Sequence, residues 1–160
     1  MSTLKAAAIT NLAGETAYQP TLGTAQASTS GTSIDFTGIP SWVKRITVMF
    51  NGVSFGTAAA NPMIQIGSGS VLTSGYTAAA GDYVPTANFL SNTTGFNLGG
   101  GTGIGNTSNN IYGHVVLTNI TGNVWCSSSN LSAYGGATFT ATGAGTVTLG
   151  GALDRVRVTS

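Results

Sequence analysis

Residues Ser33–Val53 read SIDFTGIPSWVKRITVMFNGV. From Lys44 to Val53 the pattern alternates: Ile46, Val48 and Phe50 fall on one face, Arg45, Thr47 and Met49 on the other. A period of two is the mark of a half-buried strand, and β-branched and aromatic residues suit its pleated surface. Asn51-Gly52 tolerates positive φ, so a turn or bulge fits there. Upstream, Ile34-Asp35-Phe36 reads as a short partner strand. Gly38-Ile39-Pro40 separates the two, because proline has no amide hydrogen to give to a ladder. The stretch predicts a strand, a proline corner and a long central strand.

The rest of the chain repeats this grammar. Pro62–Gly67 predicts a strand with Ile64 and Ile66 on one face, followed by a turn over Ser68–Ser70. Val71–Tyr76 reads as strand and Thr77–Gly81 as loop. Asp82–Leu90 contains Pro85 and gives no clear pattern, and Gly95–Leu98 reads as a short strand. Ile111–Thr121 is a second long strand, Gly122-Asn123 a two-residue turn, and Val124–Ser127 the return of a hairpin. Ala137–Ala141, Gly145–Leu149 and Leu153–Thr159 complete the set. Eight to ten short strands with regular turn signals and no helical pattern predict an all-β protein. The expected fold is an antiparallel β-sandwich of jelly-roll type.

Charged residues make up 6% of the chain, against about a quarter in ordinary soluble domains. The net charge is +1. No basic stripe for nucleic acid or polybasic patch for a membrane surface is present. No apolar run approaches the roughly 20 residues of a membrane-spanning helix, and the opening residues do not form a signal peptide. Low net charge opposes self-association only weakly, so an oligomer is expected. The length suits one domain, residues 25–160, preceded by an arm over residues 1–24. Within that arm, Leu4–Leu12 reads either as the start of a short helix or as an extended segment. Cys126, in Asn123–Ser127 (NVWCS), reads as a small core residue.

Catalytic candidates are few. The acids are Glu15, Asp35, Asp82 and Asp154, and the one histidine is His114. Asp35 and Asp154 are expected to be ion-paired with neighbouring cations, and Asp82 to serve a turn beside Tyr83. His114 alternates with Val115 and reads as an outward polar residue, without the companions a metal site needs. Gly99–Asn110 (GGGTGIGNTSNN) lacks the G-x-G-x-x-G order between strand and helix that a phosphate cradle requires, and reads as a long solvent loop. No enzyme activity, cofactor or metal is expected. Receptor contact would use exposed aromatics and amides on loops: Tyr76, Tyr83, Asn88, Asn109, Tyr112 and Tyr134, with Phe89 and Asn110 beside them.

Four segments carry a family resemblance: Asp35–Phe50, Ile64–Gly67, Thr73–Tyr76 and Leu153–Val158. In order and approximate spacing they resemble a domain of tailed-bacteriophage virion proteins found in tail fibres and other appendages, over residues 25–160. The resemblance implies a virion location, a homotrimer and attachment to other virion proteins through residues 1–24. It implies a structural role at a short fibre or appendage tip in host adsorption, with a host surface glycan as one candidate partner. Capsid decoration that stabilises the head is the alternative. Similar proteins continue past the Leu-Asp-Arg-Val-Arg segment into one more strand, and a neighbouring subunit's arm is one way to fill that place.

Overall fold

The computed structural model describes residues 20–28, 31–56, 61–83, 88–100, 104–105, 107–136 and 138–160. Among these there are eleven strands and no helix. They are β1 (Ser33–Thr37), β2 (Arg45–Val53), β3 (Met63–Ser68), β4 (Ser70–Val71), β5 (Thr77–Tyr83), β6 (Asn88–Asn92), β7 (Phe96–Asn97), β8 (Asn109–Thr121), β9 (Val124–Gly135), β10 (Phe139–Thr148) and β11 (Arg155–Thr159). They form two antiparallel sheets packed face to face. The larger runs β2-β8-β9-β10-β5-β6, and the smaller runs β1-β11-β3-β4, with β7 also paired to β3.

The core lies between the sheets and follows from alternation. Strand β8 turns Ile111, Val115 and Leu117 inward, β9 turns Trp125, Leu131 and Ala133, and β10 turns Phe139, Ala141 and Val147. From the smaller sheet come Ile64 and Ile66 on β3 and Val156 and Val158 on β11. Burying each large aliphatic or aromatic side chain contributes about 1.5–3 kcal/mol. The β8–β9 hairpin turns at Gly122-Asn123 as expected, and the Asn119 side-chain amide holds the tip by donating to Gly122 O and Val124 O.

Several expectations are corrected. Strand β1 does not pair with β2: it lies in the other sheet, with Asp35 opposite Arg157 of β11. The Pro40 corner carries the chain from one sheet to the other, closed by Val43 N–H donating to Pro40 O. Strand β2 is an edge strand of the larger sheet, not a central one. Thr77–Gly81 is strand, and residues 139–148 form one continuous strand where two were expected. The glycine-rich segment Gly99–Asn110 is a solvent loop only in part: Gly99, Gly100, Ile104 and Gly105 are buried, Thr107 and Ser108 are exposed, and Asn109-Asn110 begin β8. Cys126 faces outward and half-exposed, since its neighbour Trp125 takes the inward position. Residues 1–19 lie outside the described residues, so the helix or arm expected there is not addressed by the structure.

Tyr76 ties the turn after β4 to the core. Its ring meets Phe96 edge-on at 5.0 Å. Its hydroxyl accepts Ile66 N–H at 2.8 Å and reaches the carbonyls of Ile66 and Leu72. Burial pushes this phenol up to about 12, so the group is a neutral donor and acceptor at any physiological pH. Tyr76→Phe leaves the buried Ile66 amide without this partner. The expected cost is about 1–3 kcal/mol, read as a fall in Tm of roughly 3–10 °C by circular dichroism. An unchanged Tm would show that the hydroxyl adds nothing.

Candidate functional site

The outer face of the larger sheet gathers most of the exposed aromatics among the described residues. Residues paired across antiparallel strands share a face, so the register gives its rows directly. One row reads Asn51, Tyr112, Ser132, Thr140 and Tyr83 across β2, β8, β9, β10 and β5. The next reads Met49, His114, Asn130, Thr142, Gly81 and Phe89, reaching β6. Above the first row, Asn110 stands opposite Tyr134. Tyr134 is 67% exposed, Phe89 74%, Tyr83 57% and Tyr112 39%.

These rings fall into two pairs. Tyr112 and Tyr134 lie diagonally on β8 and β9, and Tyr83 and Phe89 lie diagonally on β5 and β6. Three strand spacings separate Tyr112 from Tyr83, about 14 Å at ~4.8 Å per strand. The ground between them is Ser132, Thr140, Asn130 and Thr142, and the Thr142 and Tyr83 hydroxyls lie 3.4 Å apart. Phe89 lies flat because Gly81 has no side chain: a Cβ there would sit 2.7 Å from the Phe89 ring. The two rows contain no Asp, Glu, Lys or Arg. Nearly uncharged amides and hydroxyls around rigid rings offer donors, acceptors and flat apolar area together.

Three of the expected contact residues, Tyr83, Tyr112 and Tyr134, are on this face. Tyr76 is not available for contact, because it is the core anchor described above. Asn109 is also excluded: it occupies an inward position of β8 and is fully buried. Asn88 is half-buried at the start of β6. His114, Asn130, Thr142 and Met49 belong to the face although the sequence did not single them out as contacts. The signal was present in the period of β8, but the partner rows depend on a long-range register. His114 stands between Met49 and Asn130. Among the described residues no three His, Cys, Asp or Glu side chains gather as a metal site would require.

The three acids among the described residues are engaged elsewhere, and Glu15 lies outside the described residues. Arg157 donates to both carboxylate oxygens of Asp35 at 2.6 and 2.8 Å. Arg155 does the same for Asp154 at 2.7 and 3.1 Å, and Gly69 N–H also donates to Asp154. The ion pairing expected for Asp35 and Asp154 is thus made by Arg157 and Arg155. Asp82 is not in a turn: it points inward from β5, is almost wholly buried and accepts Gly100 N–H at 2.7 Å. The chain matches no family model, no curated protein and no solved structure.

The hydrogen-bonded Arg157 guanidinium holds the Asp35 carboxyl below its ordinary value of 3.8. A carboxylate with a lowered folded pKa stabilises the fold fully above the ordinary value and loses that contribution as pH falls through the folded one. The stability of Asp35→Asn is therefore expected to lie below wild type near neutrality and to converge on it below pH 3.8. Urea midpoints measured from neutral to acid pH check this, and a gap that stays constant would contradict it.

Proposed function

We propose that this chain is a non-enzymatic structural component of a tailed-phage virion, assembled as a homotrimer at a short fibre or appendage tip. In this reading it adsorbs the particle by holding host surface carbohydrate on the outer face of the larger sheet. The observation that carries the binding role is the pair of exposed aromatic clusters around an uncharged floor of amides and hydroxyls. A pyranose presents an apolar C–H face and a polar edge. An aromatic ring accepts the first, and Asn, Ser and Thr side chains bond the second. The gap of about 14 Å between the clusters, three strand spacings, suits a short run of sugar units better than a single one.

The assignment to a virion rests on the sequence resemblance, over the stretches around β1, β2, β3 and β11. The state of the acids supports a non-enzymatic role: Asp35 and Asp154 each hold a guanidinium at two points, and Asp82 is buried in the core. Glycoside hydrolysis commonly needs two carboxyl groups facing one bond. No helix among the described residues is long and apolar enough to cross a membrane.

Binding to immobilised neutral oligosaccharides tests the face. Tyr83→Ala and Tyr112→Ala, both on exposed positions, are expected to weaken binding at least about tenfold each, ~1.4 kcal/mol, with Tm unchanged. Electron microscopy with antibody against this chain tests the location. Label at the tail or on projecting fibres is expected, and label spread over the head would replace adsorption by shell decoration.

A further inference from the structure

The sandwich is closed on one side and open on the other. On the closed side β7 pairs with β3 and packs against β5, β6 and β10. On the open side lie the two edge strands β1 and β2, each with a strand neighbour on one side only. Eight half-buried apolar side chains pack against the core among the described residues, and seven of them fall between residues 34 and 55. Two crevices mark the seam. One, of about 150 Å³, is lined by Ile34, Val53, Phe55 and Val158. The other, of about 40 Å³, is lined by Phe36, Val48, Met49 and Phe50. Among the described residues, the partly buried apolar side chains thus concentrate in one strip between two strand edges that have no strand neighbour, where an added strand satisfies backbone groups and covers apolar surface at once.

The described lead-in, residues 20–28, touches the seam without pairing along it. Gln26 lines the smaller crevice and donates its side-chain amide to Asp35 O at 2.9 Å, and Ser28 lines the larger one. Residues 20–27 are exposed throughout, and Leu22 is 97% exposed. Residues 1–19 precede this exposed stretch in the sequence. Extended, 19 residues span up to about 60 Å, enough to reach another copy. Their composition suits the seam. Leu4–Leu12 (LKAAAITNL) carries one charged side chain, Lys5, with Leu4, Ile9 and Leu12 as apolar side chains, and no Asp, Glu, Lys or Arg side chain lines either crevice.

We propose that the seam between β1 and β2 receives the N-terminal segment, residues 1–19, of a second copy of this chain. Repeated around a rotation axis, the exchange closes a ring, because each copy gives one segment and takes one. The exchange rests on the oligomer of the proposed function and not on its carbohydrate role: a monomer would overturn the assembly, whereas oligosaccharide binding at Tyr83 and Tyr112 is read separately.

The test uses full-length protein. In a Cys126→Ser background, chains carrying only Ile9→Cys and chains carrying only Val48→Cys are unfolded together, refolded and oxidised. A disulfide between the two chains is expected. In a second measurement, Ile9→Asp with Leu12→Asp is expected to raise the dissociation constant of the oligomer at least about tenfold, read by sedimentation, with the strand circular dichroism signal unchanged. Three results would overturn the proposal: a monomeric wild type, an oligomer indifferent to the Ile9 and Leu12 changes, or a double Ile9→Cys, Val48→Cys chain that links only within itself. The arm variants keep the proposal testable where replacing Val48, which packs against the core, unfolds the chain; residues 9 and 12 lie outside the described residues.

Discussion

Burial on one face only fixes the register of every strand in the larger sheet. Side chains alternate with a period of two, so sliding one strand by a residue would send its whole apolar set to solvent. In β8 and β9 such a slip would expose Ile111, Val115, Leu117, Trp125, Leu131 and Ala133 together. The outer face is fixed by the same constraint. Once Ile111 and Val115 point inward, Tyr112 and His114 must point out. Once Leu131 and Ala133 point inward, Asn130, Ser132 and Tyr134 must join them. The outer aromatic face is thus a by-product of the core's register, and it needs no loop to position it. Sites carried on sheet residues are held more rigidly than sites on loops.

The strand that the sequence concealed and the one that it broke in two share one physical cause. Strand β5 reads TAAAGDY, whose alanines, glycine and aspartate have low intrinsic β-propensity, and β10 reads FTATGAGTVT, where Gly143-Ala144-Gly145 interrupts residues that favour strands. Their inward positions meet a close approach. A Cβ on Gly143 would lie 2.8 Å from the Ala80 side chain and 3.1 Å from Asn97 O, and one on Gly145 would lie 2.7 Å from the Ala78 side chain. Strand β7 presses on this part of the sheet, and only small residues fit beneath it. Tertiary packing selects glycine and alanine here, and local propensity reads the same residues as a loop. Strands β2 and β8 were legible because their inward faces meet ordinary sheet spacing, which admits Ile, Val and Phe.

The candidate site was legible to the same extent. Tyr112 follows from the period of β8 alone. Tyr83 and Phe89 required knowing that β5 and β6 are strands, and their adjacency required Gly81, whose missing side chain lets the Phe89 ring lie on the sheet. Tyr76 misled because Val71–Tyr76 reads as a strand that could present the ring outward, whereas β4 ends at Val71 and the following turn brings Tyr76 into the core. Its hydroxyl could be placed in the core only with the Ile66 and Leu72 backbone in view. Asn109 misled because it begins a strand at an inward position while its sequence neighbours are polar.

The scarcity of charge connects the two functional regions. A surface of hydroxyls and amides is repelled weakly by its own copies, and this chain keeps two of its five cations in salt bridges with Asp35 and Asp154. Association through the β1–β2 seam therefore meets little electrostatic opposition, and an added strand beside β2 extends the larger sheet at its Met49 edge. That edge is the one farthest from Tyr83 and Phe89 in the strand order. Assembly at the seam leaves the far aromatic pair open and places new surface next to Tyr112. Copies joined in the proposed way would present several outer faces at once, so a contact that is weak for one face would be strengthened for the assembly through effective concentration.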